Sequence, residues 1–196
     1  MTGRGAICIL IAYLLGGICS GYCPVSLKTR TDICEVGSGR VGARNVGRIL
    51  GRPGFSAALA ADALKGFVAV LLAQNSELPE AVVFLVLVSV VAGHVWPVFI
   101  QFRGGRGIAP AIGAYLAFDV IIALLPLGLA LLLMLFRQSF ILSGLAAFLI
   151  LPSVAYALVM PAHCVAALTT VAAIILFTHR DRIRKEFAAA QPRKEA

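Results

Sequence analysis

Apolar residues occupy six long stretches of the chain, separated by short polar or basic segments. The stretches are 5–26, 55–73, 81–102, 107–136, 140–160 and 162–177. A membrane-spanning helix needs about 20 predominantly apolar residues, and helices of soluble proteins rarely sustain such runs. The pattern therefore predicts an all-α polytopic membrane protein rather than a soluble domain.

The fourth stretch, 107–136, is too long for one span, and Asp119 lies in its middle. If the chain turns near Asp119, there are seven spans, and segments 27–54 and 103–106, Arg137 and the tail from His179 share one side. These segments hold 15 of the 17 Lys and Arg residues. Because cytoplasmic loops are enriched in Lys and Arg, we predict about seven transmembrane helices, with the N-terminus outside and the C-terminus cytoplasmic.

Composition supports this assignment. The 196 residues are 60% hydrophobic and 13% charged, with a mean hydropathy of +0.96, whereas about a quarter of a soluble domain is charged. The net charge of +8 follows from the loop bias and from anionic lipid, so no nucleic-acid partner is predicted. The five cysteines are interpreted as small hydrophobic residues. One transmembrane domain is expected over 1–187, followed by a short basic cytoplasmic tail over 188–196.

The first basic loop contains GSGRVGARNVGR (37–48), which includes the G-x-G-x-x-G spacing of dinucleotide-binding turns. That motif requires a preceding buried strand within a βαβ unit, and TDICEV, directly after a membrane span, is not such a strand. No Walker sequence occurs either. Glycine-rich backbone and guanidinium groups can bind an anion together. The loop is therefore interpreted either as an anion-binding loop or as an ordinary flexible basic loop.

A second basic loop, RGGRG (103–107), lies where the fourth span is expected to begin. A helix start offers free N–H groups and the positive end of the helix dipole, so an anion is favoured there. His94 is expected within the third span, about two turns from this loop, and Trp96 is expected to be an interface anchor. Two glycine–arginine loops on one membrane face favour an anionic ligand.

Two further polar features lie in or beside the spans. Asp62 and Lys65 are ionisable residues inside the second span, where placing a charge costs free energy. Their i, i+3 spacing allows them to pair. The pair is interpreted either as functional or as a structural link between helices. His179 lies just after the last apolar stretch, 162–177. Its imidazole is a candidate for acid–base chemistry near neutral pH.

Taken in order, the chain resembles the bacterial acyl-phosphate:glycerol-3-phosphate acyltransferases over residues 13–187. The resemblance rests on four motifs: GSG…GA.NV.R, D..KG, GH..PVF..F.GG.G and HR..I. It implies a seven-span enzyme of the bacterial plasma (inner) membrane, with the motif loops on the cytoplasmic side. It also implies transfer of an acyl group from an acyl phosphate to the 1-hydroxyl of glycerol 3-phosphate, giving lysophosphatidic acid and phosphate, without a cofactor or a metal.

The resemblance implies roles for thirteen residues. Ser38, Arg48, Lys65 and His179 are expected to be catalytic. Binding of the substrate phosphate is expected from Asn45, Arg103, Gly104, Gly105, Arg106 and Gly107, with supporting roles for Asp62, His94 and Ser143. The implied partners are glycerol 3-phosphate, acyl phosphate, membrane lipids and the enzyme that supplies the acyl phosphate.

The chain departs from the family pattern at five positions. Arg40, Arg44 and Arg182 stand where the family usually has Asn, Thr and Asn, and Arg103 and Arg106 replace lysines. An Arg at a Lys position keeps the charge but presents a planar fork instead of a point charge.

The residue types suit direct transfer of an activated acyl group. Cations would gather two phosphate-bearing substrates, and Ser38 with backbone N–H groups would stabilise charge that develops at the carbonyl. No catalytic triad is present in the sequence, and the base is either His179 or the acceptor's own phosphate. Two alternatives remain: a degenerate relative that binds glycerol 3-phosphate without turnover, and an organic-phosphate or anion transporter.

Overall fold

The computed structural model of the chain describes residues 3–135 and 139–190. Within them it is helical, with no strand, and has eight α-helices and one short 3-10 helix at Val98–Ile100. The α-helices are α1 Gly3–Gly17, α2 Tyr22–Thr29, α3 Ala43–Gln74, α4 Glu80–Val95, α5 Ile108–Phe118, α6 Val120–Leu135, α7 Phe140–Ala157 and α8 Ala162–Ala190. Arg137 and the residues from 191 onward, which carry two of the basic segments discussed above, lie outside the described residues.

Seven of these helices correspond to the predicted spans. Four regions are long and apolar enough to cross a membrane, namely Gly3–Thr29, Ala43–Gln74, Glu80–Ile100 and Ala162–Ala188, and α5, α6 and α7 are shorter apolar helices. The prediction of an all-α, seven-helix membrane protein is confirmed. The orientation, with the N-terminus outside, stays a prediction.

The predicted turn at Asp119 is confirmed. Helix α5 ends at Phe118, Asp119 is extended, and α6 begins at Val120. The Asp119 carboxylate accepts hydrogen bonds from the backbone N–H groups of Ile121 (2.6 Å) and Ile122 (3.1 Å). A carboxylate at this place satisfies N–H groups that a new helix leaves unpaired, so the charge that splits the apolar stretch also starts the next helix.

The first apolar stretch, 5–26, is not one continuous helix. Helix α1 ends at Gly17, and α2 is a separate short helix whose first turn contains Pro24. Proline lacks a backbone N–H and cannot continue a preceding helix, whereas it is tolerated in a first turn. Gly17 also packs against the ring of Phe99, with a Cβ position 3.3 Å from that ring. The chain therefore turns at 18–21, and this turn contributes to the site described below.

Helix α3 bends where it enters the bundle. Gly51 has φ 75° and ψ −169°, outside the helical region, and Pro53 follows it. The bend separates a first segment, 43–50, from the membrane-spanning segment that begins after Gly51. The first segment can therefore belong to the basic loops while the remainder packs in the core.

Glycines let two pairs of helices touch backbone to backbone. In each case a Cβ would overlap a carbonyl group of the neighbouring helix: Gly16 and Gly93 do this between α1 and α4, and Gly66 and Gly113 between α3 and α5. Small residues at such contacts are the usual basis of helix packing in membranes. These contacts fix the four helices whose ends carry the site.

Labelling of single cysteines tests the orientation. In a variant without its native cysteines, Ser76→Cys and Ala162→Cys should react with a membrane-impermeant maleimide on intact cells, because both lie between spans on the predicted outer face. The exposed Lys185, changed to Cys, should react only after permeabilisation. Reaction of the Lys185→Cys variant on intact cells would contradict the orientation.

Candidate active site

Three basic segments that are far apart in sequence meet at one end of the helix bundle. The Cβ position of Gly42, at the start of α3, lies 3.9 Å from the Cα of Gly105 in the second basic loop. The Thr178 hydroxyl, near the end of α8, donates a hydrogen bond to the backbone oxygen of Arg106 (3.1 Å). The motif loops and the end of α8 therefore form one site.

Asn45 holds the first basic loop in shape. Its Oδ1 accepts from the backbone N–H of Ser38 (3.0 Å), and its Nδ2 donates to the backbone oxygens of Val36 (2.9 Å) and Ile33 (3.3 Å). Gly37 beside it has φ 67°, a conformation that side chains disfavour. Asn45 is buried and the loop backbone occupies both ends of its amide, so Asn45 positions the loop. Its expected role in phosphate binding stays a prediction.

The same loop presents polar side chains outward. Ser38 and Arg48 are both exposed. Among the described residues, no hydrogen bond to the Ser38 hydroxyl or the Arg48 guanidinium is present, and none of the three ion pairs includes an arginine. Both groups are therefore available to a ligand.

The second loop folds back onto the end of α4. The backbone N–H of Gly105 donates to the backbone oxygen of His94 (3.0 Å). A Cβ on Gly104 would overlap that same oxygen, and a Cβ on Gly105 would overlap the imidazole of His94. The expectation that His94 lies two turns away from the loop is wrong, because glycine allows the loop to return to the helix end.

Helix α5 begins at this loop, as expected. Gly107 is the residue before its first turn and has φ 89°. Burial, followed by repulsion from Arg182, Arg40 and Arg44, lowers the pKa of the Arg106 guanidinium below its ordinary value. A guanidinium remains protonated at neutral pH, so several positive charges are crowded at one helix start, where an anion relieves the repulsion.

A cavity of about 390 Å³ opens between the three segments. Its lining combines arginine and aromatic side chains. The lining residues are Gly39, Arg40, Trp96, Phe102, Arg103, Phe177, Thr178 and Arg180. Its volume lies at the lower end of the roughly 300–1,000 Å³ range of small-molecule sites. The mixed lining suits a ligand with both an anionic and an apolar part.

Three lining residues, Trp96, Phe177 and Thr178, were not recognised from the sequence as part of a site. Trp96, expected to be an interface anchor, lines the cavity, and its ring lies 6.3 Å from that of Phe177. Thr178 carries no motif signal of its own. The Arg180 guanidinium stacks over the Phe177 ring at 4.3 Å, which holds that cation at the wall of the cavity.

Below the loops lies a buried polar network centred on Asp62. Its Oδ1 accepts from the Ser20 hydroxyl (2.8 Å), is 3.0 Å from Lys65 Nζ and is 3.5 Å from His94 Nδ1. Lys65 Nζ also donates to the backbone oxygen of Ile18 (2.8 Å). The predicted pairing of Asp62 with Lys65 is confirmed. Lys65 is buried with two protein partners, one of them in the 18–21 turn, and its expected catalytic role stays a prediction.

His179 has a defined tautomer in this arrangement. Its Nδ1 lies 2.8 Å from the backbone oxygen of Ile175. A carbonyl can only accept, so Nδ1 carries the proton and Nε2 keeps its lone pair. Ser143, in α7, is buried, and its hydroxyl has no partner among the described residues. No group of three or more metal-ligating side chains is present in the described part of the chain.

Comparison with known proteins identifies relatives over almost the full length. A family model described as "Glycerol-3-phosphate acyltransferase" matches residues 6–189. Glycerol-3-phosphate acyltransferase 1 of Desulfitobacterium hafniense (strain Y51) is 40% identical over 186 residues, which cover 95% of this chain and 92% of that protein. Glycerol-3-phosphate acyltransferase of Methylobacillus flagellatus is 35% identical, covering 93% of each chain.

The fold matches solved structures equally well. The glycerol 3-phosphate form of PlsY (YgiH), an integral membrane glycerol 3-phosphate acyltransferase, superimposes with a TM-score of 0.87 at 30% identity, covering 98% of this chain and 96% of that one. Its lysophosphatidic acid form gives a TM-score of 0.84 at 29% identity, covering 97% and 95% of the two chains.

Proposed function

This chain belongs to the glycerol-3-phosphate acyltransferase family, and from that premise we propose that it acylates the 1-hydroxyl of glycerol 3-phosphate with an acyl phosphate as the donor. The observation that carries the proposal is the cavity shared by the three motif segments, which combines three guanidinium groups with three aromatic side chains. Both substrates carry a phosphate, and the donor also carries an apolar chain. We place the reaction in the bacterial inner membrane, where the acyl chain can remain among the lipids.

Each part of the site has a task in this proposal. The glycine loop, 104–107, together with Arg103 and Arg106, binds the phosphate of glycerol 3-phosphate through backbone N–H groups and cations. Arg48 and Ser38 act at the acyl phosphate, where Arg48 neutralises the leaving phosphate and Ser38 donates to the carbonyl oxygen. The buried Asp62–His94–Lys65 network supports these loops from below. The supporting role that the resemblance implies for Ser143 stays a prediction.

The transfer balances without a covalent enzyme intermediate. The 1-hydroxyl oxygen of glycerol 3-phosphate attacks the acyl carbonyl carbon and forms the new ester bond. The bond from that carbon to the phosphate oxygen breaks, and inorganic phosphate leaves with the electron pair. The hydroxyl proton passes to a base, and holding both substrates in one cavity removes most of the entropic barrier to their encounter.

Two groups in the site can accept the proton, namely Nε2 of His179 and the acceptor's own phosphate. His179→Ala distinguishes them when kcat is measured at saturating substrate. A general base raises kcat about 10²- to 10⁴-fold. If kcat of His179→Ala falls by that factor and a higher pH does not restore it, the imidazole accepts the proton. A loss of less than tenfold assigns it to the acceptor phosphate.

The proposed activity is tested directly with purified protein in lipid nanodiscs, palmitoyl phosphate and labelled glycerol 3-phosphate. We expect labelled lysophosphatidic acid together with an equal amount of inorganic phosphate. Binding of glycerol 3-phosphate without product would identify a degenerate relative. Uptake of label into proteoliposomes without acylation would identify a transporter. Stimulation by the enzyme that supplies acyl phosphate would identify a functional partner.

Gly105→Ala tests the role of the glycine loop. The new Cβ overlaps the His94 imidazole and displaces the loop backbone that approaches the phosphate. We expect the KM for glycerol 3-phosphate to rise at least about tenfold, with a smaller change in kcat, because binding of the acceptor is what the loop supplies. Gly144→Ala, where no heavy atom lies within 4 Å of the new Cβ, is the matched control. An unchanged KM for glycerol 3-phosphate with a lower kcat would show that this loop does not bind the acceptor.

A further inference from the structure

One side chain, that of Thr178, connects the end of α8 to the second basic loop. Thr178 is buried and lines the cavity, and its hydroxyl lies 3.1 Å from the backbone oxygen of Arg106. The hydroxyl also lies 2.8 Å from the backbone oxygen of Ile175 and 3.3 Å from Nδ1 of His179. Thr178 is therefore placed between the loop that binds the acceptor in the proposed reaction and the imidazole that can take the proton.

The Thr178 proton is needed at the Arg106 oxygen. A hydroxyl carries one proton, so Thr178 makes one full hydrogen bond as a donor. The Ile175 oxygen already accepts from the protonated Nδ1 of His179 at 2.8 Å. The Arg106 oxygen accepts from no backbone N–H among the described residues. In a continuing helix its donor would be the residue four positions later, which is Pro110 and has no N–H.

This hydrogen bond fixes the plane of the peptide that joins Arg106 to Gly107. In a planar trans peptide the C=O and N–H groups point in opposite directions, so holding the Arg106 oxygen also sets the direction of the Gly107 N–H. That N–H lies just before α5 and donates to no group in the described part of the chain. Gly107 has φ 89°, and glycine adopts positive and negative φ about equally readily, so its own conformation does not oppose a flip of this peptide.

We propose that Thr178 is a positioning residue, whose hydroxyl holds the peptide between Arg106 and Gly107 in the orientation that binds the phosphate of glycerol 3-phosphate. This deepens the proposed function and rests on it, because that function assigns acceptor binding to the 104–107 loop. Backbone N–H groups at a helix start attract a phosphate, whereas a flipped peptide presents a carbonyl oxygen in place of the N–H. Loss of the hydroxyl therefore weakens acceptor binding and leaves binding of the acyl phosphate, assigned to Ser38 and Arg48, as it was.

Thr178→Val tests the proposal, since it nearly keeps the shape of the side chain and removes the hydroxyl. With protein in nanodiscs, the KM for glycerol 3-phosphate is measured at saturating palmitoyl phosphate, and the KM for palmitoyl phosphate at saturating glycerol 3-phosphate. One net hydrogen bond between neutral groups corresponds to about a fivefold change in an equilibrium. We expect the KM for glycerol 3-phosphate to rise about five- to tenfold and the KM for palmitoyl phosphate to change less than about twofold.

Two further variants make the result specific to the hydroxyl. Thr178→Ser restores a hydroxyl and should return the KM for glycerol 3-phosphate to within about twofold of wild type. Thr170→Val is the matched control, because the Thr170 hydroxyl donates to the backbone oxygen of Ala166 in the same helix, and it should leave both KM values unchanged.

An unchanged KM for glycerol 3-phosphate in folded Thr178→Val overturns the proposal. An equal rise in both KM values, or no recovery with serine, shows a purely structural role and also overturns it. If Thr178→Val does not fold, Thr178→Ala must raise the KM for glycerol 3-phosphate, and an unchanged value in that variant overturns the proposal.

Equilibrium binding of labelled glycerol 3-phosphate separates this outcome from that of the main proposal, because binding needs no turnover. If wild-type protein forms no lysophosphatidic acid, the proposed function fails, and weaker binding of glycerol 3-phosphate to Thr178→Val still supports the role of Thr178 in the loop. Normal transfer by wild-type protein, together with equal binding to Thr178→Val, contradicts the role of Thr178 alone.

Discussion

Arg48→Ala is expected to abolish acyl transfer, with a loss of about 10³-fold or more in kcat/KM. Removing one preorganised contact to developing charge costs about 10²- to 10³-fold, and a contact to a fully charged phosphate is stronger than one between neutral groups. Arg48 is exposed and has no hydrogen-bond partner among the described residues, so its loss leaves protein packing intact. The measurement is steady-state transfer from palmitoyl phosphate, together with a thermal unfolding curve for the variant.

Two comparisons make this result specific. Arg48→Lys should restore little activity, because a point charge does not reproduce a bidentate fork. Arg52→Ala, an exposed arginine beyond the bend of α3, should remain within about threefold of wild type, since isolated surface charges contribute little. Arg40→Asn and Arg44→Thr should be tolerated or should raise activity. Near-normal turnover of Arg48→Ala, combined with loss of activity in Arg40→Asn or Arg44→Thr, would show that the arginine roles are wrongly assigned.

Asp62→Asn is expected to cause the largest loss of stability. The substitution keeps the shape of the side chain but leaves the Lys65 ammonium buried with only the Ile18 carbonyl and a neutral amide as partners. Breaking a buried ion pair by removing one partner costs about 3–5 kcal/mol, because the remaining charge is uncompensated. The apparent melting temperature in detergent micelles should fall accordingly, and transfer should fall with it because His94 and the glycine loop lose their support.

A double variant shows whether charge is the cause. Asp62→Asn/Lys65→Met removes both charges and should recover most of the lost stability, since replacing a buried pair by apolar groups is often neutral. If the double variant is as unstable as the single one, the network contributes through its hydrogen bonds to Ser20 and Ile18 and not through the ion pair.

The sequence predicted the features that depend on charge placed within apolar segments. Asp119 marked a turn because a carboxylate inside a long apolar stretch needs either a partner or an exit from the membrane. Asp62 and Lys65 were paired correctly because helical spacing alone places them on one face. The two glycine–arginine loops were assigned to one membrane face from charge asymmetry, and the structure brings them into contact.

Features that depend on tertiary packing were not predicted. The 18–21 turn contains no charge to mark it, so Ser20 and the Ile18 carbonyl were missed as partners of Asp62 and Lys65. The return of the second loop to His94 depends on two glycines packing against the end of α4, and linear spacing gives no sign of such a contact. Thr178 and Trp96 belong to the site only because their helix ends meet the loops.

The last span reaches the site without interruption, since α8 is a single helix of 29 residues. The positions of three residues around the axis of α8 therefore set the directions of their side chains, namely Thr178, His179 and Arg182. The other two segments of the site are positioned by turns. Inserting one residue into α8 before Thr178 rotates all three side chains by about 100° together, and no flexible joint lies between them to absorb the change. By comparison, an insertion or deletion in the loop at 30–42 changes the structure only near that loop. The number of residues between Ala162 and Thr178 therefore determines the directions in which the side chains at the end of α8 point. This number matters for the site as much as the identities of those residues.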